Sequence, residues 1–419
     1  MMTGVMIKGG GSRPAGVPPT ETSKVGVLGA GLMGHGIAYI TAMAGLAVVL
    51  KDVTREKAEA GQAAVAELLG KRVSQGKLAS ATRAAILGRI LPTDTAADLQ
   101  GCDLIIEAVF EDRDLKTRVM REAEAQIAPE AVYGSNTSTM PITGLAVRSL
   151  RPANFIGTHF FSPVHRMDLV EIIVGKQTSQ QTLAKVFDYS IKIGKTPIVV
   201  NDSRGFYTSR VISTYVNEGL NMLAEGQTPQ AIEAAGLQAG MPMGALEVAD
   251  LVGLNLAMHI NEQTVKDLAA AGQPLERPPA DAVIVRMVKE QGRLGKTAGA
   301  GFYDYPKGGG KSLWPHLGGL YPTAQPLPQQ ELVERLMFIQ ALETVRCLEE
   351  GVVTSVADAN LGSVLGWGFP PAQGGSLQYI NGYGLSAFVA RSGELADKYG
   401  NRFRPPQTLR DMVQAGKTF

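Results

Sequence analysis

A histidine and a glutamate lie symmetrically about a short loop in the stretch FIGTHFFSPVHRMDLVEIIVG, residues 155–175. Two strand-like runs flank a loop centred near His165, so a hairpin would place His159 opposite Glu171. A carboxylate that accepts a hydrogen bond from one imidazole nitrogen fixes the tautomer, and the other nitrogen can then take up a proton. Such a pair could be the general base of an alcohol oxidation. Spacing alone leaves a structural salt bridge as the alternative.

A glycine-rich loop, GAGLMGHG at 29–36, follows the apolar run VGVL at 25–28. In a dinucleotide fingerprint of this spacing, Gly29 permits the tight turn, and Gly31 lets the backbone approach a pyrophosphate. Gly34 lets the following helix pack closely against the strand. The phosphates would then lie at the positive end of that helix. The strand before the loop and the helix after it predict a dinucleotide site.

Asp52 ends the second apolar run, AVVLKD, about 20 residues after the glycine loop. A carboxylate there can accept hydrogen bonds from ribose hydroxyls, and it would repel the additional phosphate of NADP. The sequence therefore favours NAD. Asp52 could instead cap the helix that begins near Thr54, and the two roles are compatible.

Strand-like and helical segments alternate from Lys24 onward, with a helical stretch at 54–88 and strands at 103–111 and 131–139. This alternation predicts an α/β fold with a doubly wound parallel sheet. Such a sheet binds ligands at the carboxyl ends of its strands. The polar residues that fall at or just beyond those ends are Glu111, Lys116 and Ser138.

Composition excludes several classes of partner. The chain has 419 residues, 45% of them hydrophobic, and a net charge of +1, which gives no long-range attraction to nucleic acid. Cys102 and Cys347 show no metal-ligand or disulfide spacing, so no metal is expected and a reducing cytoplasm or organelle matrix fits. No uninterrupted apolar stretch reaches the roughly 18–20 residues that a membrane span needs, so stable membrane insertion is not expected.

The C-terminal part contains an internal repeat. The segment RVISTYVNEGLNMLAEG at 210–226 matches RLMFIQALETVRCLEEG at 335–351, and 240–254 matches 368–385 apart from a three-residue insertion. Two copies of one helical unit are therefore expected. The predicted division is a flexible lead-in at 1–23, a nucleotide-binding domain at 24–200, a first helical unit at 201–306, a Gly- and Pro-rich linker at 307–330 and a second helical unit at 331–419.

The segments GAGLMGHGIAY, SNTST, GTHFFSPVHRMDLVEII and VNDSRGFYTSRV resemble the 3-hydroxyacyl-CoA dehydrogenases. More narrowly, they resemble the dehydrogenase half of the multifunctional fatty-acid oxidation enzymes of the trifunctional alpha-subunit type. The resemblance covers nearly the whole chain. It implies a Rossmann-type doubly wound sheet followed by two related all-helical C-terminal units. It also implies NAD-dependent oxidation of (S)-3-hydroxyacyl-CoA to 3-oxoacyl-CoA in fatty-acid beta-oxidation.

The resemblance also implies roles for individual residues. His159 would be the base, Glu171 its orienting partner, and Ser138 a hydrogen-bond partner of the substrate oxygen. Two serines depart from the commonest pattern, because many members have Asn where this chain has Ser162 and Ser209. The long-chain trifunctional enzymes also carry small hydroxyl residues at these two positions, so the serines are compatible with activity. They leave open the reaction rate and the preferred length of the acyl chain. The positions that match the family's cofactor side are Gly29, Gly31, Met33, Gly34, Asp52, Val109, Glu111, Lys116, Ser138, Ser162 and Lys296.

The implied substrate is an acyl-CoA, and the resemblance leaves open a homodimer or association with hydratase or thiolase partners. The stretch IKGGGSRPAGVPPTETSKVG resembles the connector that follows a hydratase half, so we expect a fragment of a longer chain or a separately encoded dehydrogenase half. Two other functions are alternatives to this one. A short-chain 3-hydroxybutyryl-CoA dehydrogenase is disfavoured by the duplicated helical unit. A catalytically silent NAD-binding scaffold is disfavoured by the presence of His159 and Glu171.

Overall fold

The computed structural model describes residues 11–270, 272, 278–321 and 324–419. Within these residues, apolar runs from Lys24 onward form an eight-stranded sheet. The chain separates into two compact units. The first consists of the chain up to Ser209 together with Cys347–Trp367, and the second consists of Arg210–Arg346 together with Gly368–Phe419.

The sheet of the first unit has the strand order β3-β2-β1-β4-β5-β6-β7-β8. Neighbouring strands are parallel except β6 and β7, which form the antiparallel hairpin that the sequence predicts. The expected doubly wound Rossmann-type sheet is therefore confirmed, with two further strands on one side. Its strands are β1 Lys24–Leu28, β2 Ala47–Lys51, β3 Ile90–Thr93, β4 Leu104–Glu107, β5 Val132–Ser135, β6 Phe155–Phe160, β7 Leu169–Val174 and β8 Thr196–Asn201.

Helices cover this sheet and bury its apolar side chains. Three of them have a side-chain N-cap, in which Thr54, Asp112 or Ser179 accepts a backbone N–H of the first turn. The α-helices of the first unit are α1 Leu32–Met43, α2 Arg55–Ser74, α3 Ser80–Leu87, α4 Arg113–Glu124, α5 Ile142–Ala146, α6 Gln180–Lys192 and, from the C-terminal part of the chain, α14 Val356–Trp367.

Some sequence-predicted elements differ from the structure. The single helical stretch expected at 54–88 is two helices, because the chain turns at Gly76, whose φ is +68°. The strand expected at 103–111 ends at Glu107. Strands β3 and β8 were not predicted as separate elements. Both carry a proline and both lie at an edge of the sheet, where the missing backbone N–H is tolerated.

The described part of the expected lead-in, residues 11–23, forms side-chain contacts with helices of the first unit. The Arg13 guanidinium forms two hydrogen bonds of 2.7 and 2.9 Å with the Asp188 carboxylate on α6. The Ser12 hydroxyl lies 2.7 and 2.8 Å from the two carboxylate oxygens of Asp358 on α14. Residues 1–10 of the expected lead-in lie outside the described residues.

The second unit is largely helical, as expected. The expected linker at 307–330 contains a short strand that pairs with Tyr303–Asp304, and its residues 322–323 lie outside the described ranges. The remaining elements are α7 Thr208–Ala224, α8 Pro229–Gln238, α9 Ala245–Val252, α10 Leu254–Ala270, α11 Pro279–Val285, β9 Tyr303–Asp304, β10 Ser312–Leu313, α12 Leu317–Leu320, α13 Gln329–Glu349, α15 Ser376–Tyr383, α16 Leu385–Tyr399 and α17 Gln407–Ala415.

The internal repeat is visible in backbone geometry. Gly253 separates α9 from α10 with φ 95° and ψ 118°, and Gly384 separates α15 from α16 with φ 92° and ψ 114°. These positive φ values favour glycine. Two breaks with almost the same dihedral angles at equivalent repeat positions support a duplicated helical unit.

Reciprocal ion pairs join the two copies within the second unit. The Arg335 Nε of α13 donates to Glu218 Oε1 of α7 over 2.7 Å, and Arg210 of α7 pairs with Glu343 of α13. Arg210 and Arg335 begin the two matching sequence segments, and Glu218 and Glu343 are both their ninth residue. Each copy thus offers its arginine to the glutamate of the other, which is the pattern of an internal two-fold relation.

Candidate active site

The β6–β7 hairpin places His159 and Glu171 in register, as the sequence predicts. The His159 Nδ1 and Glu171 Oε2 atoms are 2.9 Å apart. Only 6% of His159 is exposed, and Glu171 is fully buried. With Nδ1–H donating to this carboxylate, Nε2 is the ring nitrogen that can accept a proton.

The Glu171 carboxylate has three further donors that sequence reasoning missed. Its Oε1 accepts the backbone N–H groups of Tyr207 at 2.9 Å and Thr208 at 3.0 Å. Its Oε2 accepts the Thr208 hydroxyl at 2.6 Å in addition to the imidazole. The two amides follow a tight turn in which Gly205 has φ +72° and Phe206 has φ +51°, a conformation that costs energy for a residue with a side chain.

Two aromatic rings lie close to the imidazole. The His159 ring centroid is 4.4 Å from that of Phe161 and 6.1 Å from that of Phe206. Phe206 is fully buried. These rings shield one side of the imidazole from water, which strengthens its interaction with Glu171.

The loop that carries Ser138 is held by Glu111. Its Oε1 accepts the backbone N–H of Ser138 at 2.9 Å, and both carboxylate oxygens accept the Thr137 hydroxyl, at 2.9 and 3.0 Å. The Lys116 Nζ lies 3.3 Å from Glu111 Oε2. The structure therefore brings together Glu111, Lys116 and Ser138, as their positions at strand ends indicate.

Glu107 completes this cluster and was not predicted. It is 1% exposed, and Lys116, itself 4% exposed, donates to its Oε1 over 2.8 Å. The backbone N–H of Val109 and the hydroxyl of Ser135 also donate to Glu107, each over 2.8 Å. A glutamate inside the apolar run LIIEAV is the signal that could have identified it, because a buried carboxylate needs partners.

The glycine loop has the geometry that its sequence predicts. Gly29 has φ +94°, and a Cβ there would lie 2.7 Å from the Ala108 oxygen. A Cβ on Gly34 would lie 1.7 Å from the Gly29 oxygen, so only glycine fits where α1 meets the loop. Gly31 faces open space at the start of α1, where a phosphate could approach the helix N-terminus.

Asp52 lies beside this loop, and its Oδ2 accepts the backbone N–H of Ala30 at 2.7 Å. The N-cap of α2 is Thr54, so the alternative that Asp52 caps this helix is wrong. A cavity of about 410 Å³ lined by Gly29, Asp52 and Val109 adjoins the carboxylate. A cavity of this size, with a carboxylate at its wall and a glycine loop beside it, fits the adenosine part of NAD.

A second cavity, of about 850 Å³, lies on the same unit and is strongly basic. Burial lowers the pKa of His165 at its wall, and the neighbouring Arg166 and Lys195 lower that pKa further. Lys195 donates to the backbone oxygens of Val164 and Met167, each over 2.5 Å, and so holds the loop that follows β6. The cationic side chains that line this cavity are Lys71, Arg72, Lys77, Arg166, Lys192 and Lys195.

The remaining sequence-predicted residues are located as follows. Met33 is half-buried in the first turn of α1, and Ser162 is exposed in the loop after β6. Ser209 is half-buried and follows Thr208 at the start of α7. Lys296 belongs to the second unit, where its Nζ is 5.9 Å from the Tyr305 ring centroid. Their roles in cofactor or substrate binding remain predictions.

In 11–270, 272, 278–321 and 324–419, no group of three His, Cys, Asp or Glu side chains is placed to hold a metal ion. Among the helices of those same ranges, none combines the length and the apolar character that a membrane span requires.

Known proteins match both parts of the chain. The family model of the 3-hydroxyacyl-CoA dehydrogenase NAD binding domain matches residues 24–203, and the model of the C-terminal domain of that family matches residues 205–305. The fatty acid oxidation complex subunit alpha of Pseudomonas aeruginosa is 38% identical over 404 residues, which cover 94% of this chain. The chain spans about half the length of the curated relatives it matches, 55% in this case.

Two solved structures add to these matches. One is 3-hydroxybutyryl-CoA dehydrogenase from Escherichia coli K12, at 25% identity and a TM-score of 0.81, with 95% of this chain and 100% of that chain covered. The other is (S)-3-hydroxybutyryl-CoA dehydrogenase from Ralstonia eutropha, at 36% identity and a TM-score of 0.63. The latter match covers 68% of this chain and 100% of that chain.

Proposed function

Because the chain belongs to the 3-hydroxyacyl-CoA dehydrogenase family, we propose that it oxidises (S)-3-hydroxyacyl-CoA to 3-oxoacyl-CoA in fatty-acid beta-oxidation. NAD, when bound in the NAD-binding domain at residues 24–203, supplies the acceptor for the hydride that leaves the carbinol carbon. The observation that carries the proposal is the buried His159–Glu171 pair with its 2.9 Å contact. Nothing in this pair is needed for nucleotide binding alone, which argues against a silent scaffold.

The chemistry assigned to the chain's own residues is proton transfer and positioning. Nε2 of His159 takes the proton of the substrate hydroxyl, and Glu171 stabilises the imidazolium that forms. Ser138, on the loop that Glu111 holds, donates a hydrogen bond to the substrate oxygen as charge develops on it. Asp52 and the loop at Gly31 would hold the adenosine and pyrophosphate parts of NAD.

The basic cavity supports a CoA thioester as the substrate class. Coenzyme A carries several negatively charged phosphate groups at its adenosine end, and cationic side chains stabilise them when the substrate binds. An uncharged acyl substrate would not require such cations. The cavity wall supplies them at Lys71, Arg72 and Lys192, and the same cavity includes Pro163 and His165 of the loop that follows the catalytic strand β6.

A short-chain 3-hydroxybutyryl-CoA dehydrogenase is the second candidate. The duplicated helical unit does not argue against it, because the Escherichia coli protein of that name is matched over its full length. The relatives named as complex subunits support a further proposal, that the chain works in association with other proteins of fatty-acid oxidation.

Turnover of NADH with 3-oxoacyl-CoA tests the proposed activity. We expect purified protein to oxidise NADH with acetoacetyl-CoA, with 3-oxohexadecanoyl-CoA or with both, and the ratio of the two kcat/KM values separates the short-chain from the long-chain candidate. NAD binding without turnover on either substrate would overturn the enzyme proposal in favour of a scaffold.

His159→Ala is expected to lower kcat by about 10²–10⁴-fold, the contribution of a positioned base. Glu171→Gln should also lower kcat, because it weakens the hold on the imidazole with little change of shape. The Kd for NAD, measured by fluorescence titration, should stay within about twofold for both variants. Wild-type turnover in either variant would remove the pair from the mechanism.

A further inference from the structure

The Thr208 hydroxyl donates to the Glu171 carboxylate. The matches to known proteins assign no role to this hydroxyl. A carboxylate offers about four acceptor sites. On Glu171 these are taken by His159 Nδ1 and by the backbone and hydroxyl groups of the turn at 207–208. The Thr208 hydroxyl and the imidazole share Oε2, so the hydroxyl acts on the same oxygen that orients the base. The carboxylate cannot rotate without losing donors on both oxygens.

Helix α14 fixes the turn that carries this hydroxyl. Thr208 is 1% exposed, and a Cβ on Gly366 of α14 would lie 3.1 Å from Thr208 Cγ2. The Tyr207 hydroxyl donates to the backbone oxygen of Ala359 on the same helix over 2.8 Å. A Cβ on Gly362 would lie 3.0 Å from Tyr207 Cε1. The glycine face of α14 therefore packs directly against the turn and leaves it little freedom.

We propose that Thr208 is a positioning residue of the dehydrogenase reaction, which acts through Glu171 on His159. The inference rests on the proposed function, because the reaction it supports is the one proposed above. With the hydroxyl absent, Oε2 keeps only the imidazole as donor, and the side chain of Glu171 can turn about its remaining contacts with the two amides. The imidazole then spends less time in the orientation that presents Nε2 to the substrate.

The test compares Thr208→Val, which removes the hydroxyl and keeps the shape, with Thr208→Ser, which keeps the hydroxyl. We expect T208V to lose about 10-fold to 100-fold in kcat, in line with the worth of a hydrogen bond to a charged group. The KM for acyl-CoA and the Kd for NAD should change by less than about threefold, since Thr208 touches neither ligand in this proposal. T208S should retain at least five times the kcat of T208V.

Thr182→Val is the matched control. Thr182 is 2% exposed, and its hydroxyl donates to the Ala153 backbone oxygen over 2.9 Å, away from the catalytic pair. It should lower the thermal midpoint through loss of a buried hydrogen bond, with kcat unchanged. If T208V does not fold, Thr208→Ala compared with T208S isolates the hydroxyl at equal loss of the methyl group.

A second readout does not depend on turnover. The Nδ1–H proton of His159, observed by ¹H NMR of ¹⁵N-histidine-labelled protein and assigned with His159→Gln, should shift in T208V and stay near its wild-type position in T208S and T182V. An inactive wild type with this pattern of shifts would overturn the proposed function and leave the positioning role intact. Wild-type kcat in T208V, or an unmoved Nδ1–H resonance, would overturn the role of Thr208.

Discussion

Ser209 follows the turn that holds Glu171, and it occupies the position where many family members have asparagine. Serine is shorter and has a single donor, so Ser138 should carry more of the hydrogen bonding to the substrate oxygen. We predict that Ser209→Ala costs less than about 1.5 kcal/mol of transition-state stabilisation, the upper range for a neutral hydrogen bond. Ser138→Ala should cost more. The measurement is kcat/KM of both variants on one substrate, and a loss at Ser209 that equals or exceeds the loss at Ser138 would contradict it.

The Asp52 carboxylate accepts the Ala30 N–H of the glycine loop, in addition to the cofactor contact that we propose for it. We predict that Asp52→Asn, which removes the charge and keeps a side-chain acceptor for Ala30, lowers the preference for NAD over NADP by about tenfold. Asp52→Ser should show the same change together with weaker binding of both cofactors, since it also releases the loop. The ratio of kcat/KM for the two cofactors is the readout. A wild-type protein that already accepts NADP equally would remove Asp52 as the discriminating residue.

At the scale of residues, the sequence predicts what depends on local spacing. His159 and Glu171 are equidistant from the hairpin loop, and the register of β6 and β7 follows from that symmetry. Glu107 and Thr208 could not be predicted in the same way. Thr208 meets Glu171 across 37 positions of the chain, and Glu107 finds Ser135 only because β4 lies beside β5.

At the scale of elements, α9 is tied to the segment that contains β9 by one buried carboxylate. Asp250 is fully buried, and it accepts the backbone N–H groups of Phe302 and Tyr303, each at 2.8 Å. The Tyr305 hydroxyl also donates to it, over 3.1 Å. Burial raises the pKa of Asp250 to about 6, against the lowering effect of these hydrogen bonds.

This raised pKa predicts a pH dependence of stability. The folded protein holds a proton on Asp250 more tightly than the unfolded chain does, so the contribution of Asp250 to stability rises as the pH falls from above 6 towards 4. We predict that the free energy of unfolding of the wild type, minus that of Asp250→Asn, increases over this window by on the order of 3 kcal/mol at most. Urea unfolding of both proteins at pH 4.5 and 7.5 is the measurement. A difference that is constant or falls with decreasing pH would contradict the prediction.

Element prediction from sequence succeeds where apolar runs are long and fails where they are interrupted. β1 and β2 are predicted within a residue or two, because an uninterrupted apolar run is typical of a buried parallel strand. β3 and β8 contain Pro92 and Pro197, which weaken the pattern of a strand. Each of them pairs with the strand that precedes it in the chain, β3 with β2 and β8 with β7, across intervening helices.

For the molecule as a whole, the two reciprocal ion pairs of the duplicated unit differ in burial. Arg335 is fully buried between Glu218 and Glu225, and its guanidinium lies 3.8 Å from the Tyr399 ring centroid. Arg210 and Glu343 keep 20% and 13% of their side chains exposed. Equivalent positions of one repeat should therefore contribute unequally to stability.

We predict that Glu218→Gln destabilises the protein by about 3–5 kcal/mol, because it leaves a buried arginine with less compensation. Glu343→Gln should cost about 1 kcal/mol or less, since its pair is partly solvated. Differential scanning calorimetry of both variants compares the two shifts of the thermal midpoint. Equal shifts would show that burial does not separate the two pairs.

Helix α14 lies in the second copy of the helical unit, and its position limits how the coding sequence can change. The segment before this helix belongs to the second copy, and it is joined to the sheet of the first unit. The Asn201 side chain at the end of β8 donates to Gly351, 150 positions later, and Val200 forms a backbone bridge with Val353. A premature stop codon between the two copies would thus remove contacts of β8, which is encoded far upstream. Recombination at the linker cannot exchange the second copy independently, because residues of that copy contact β8 and the turn at 207–208.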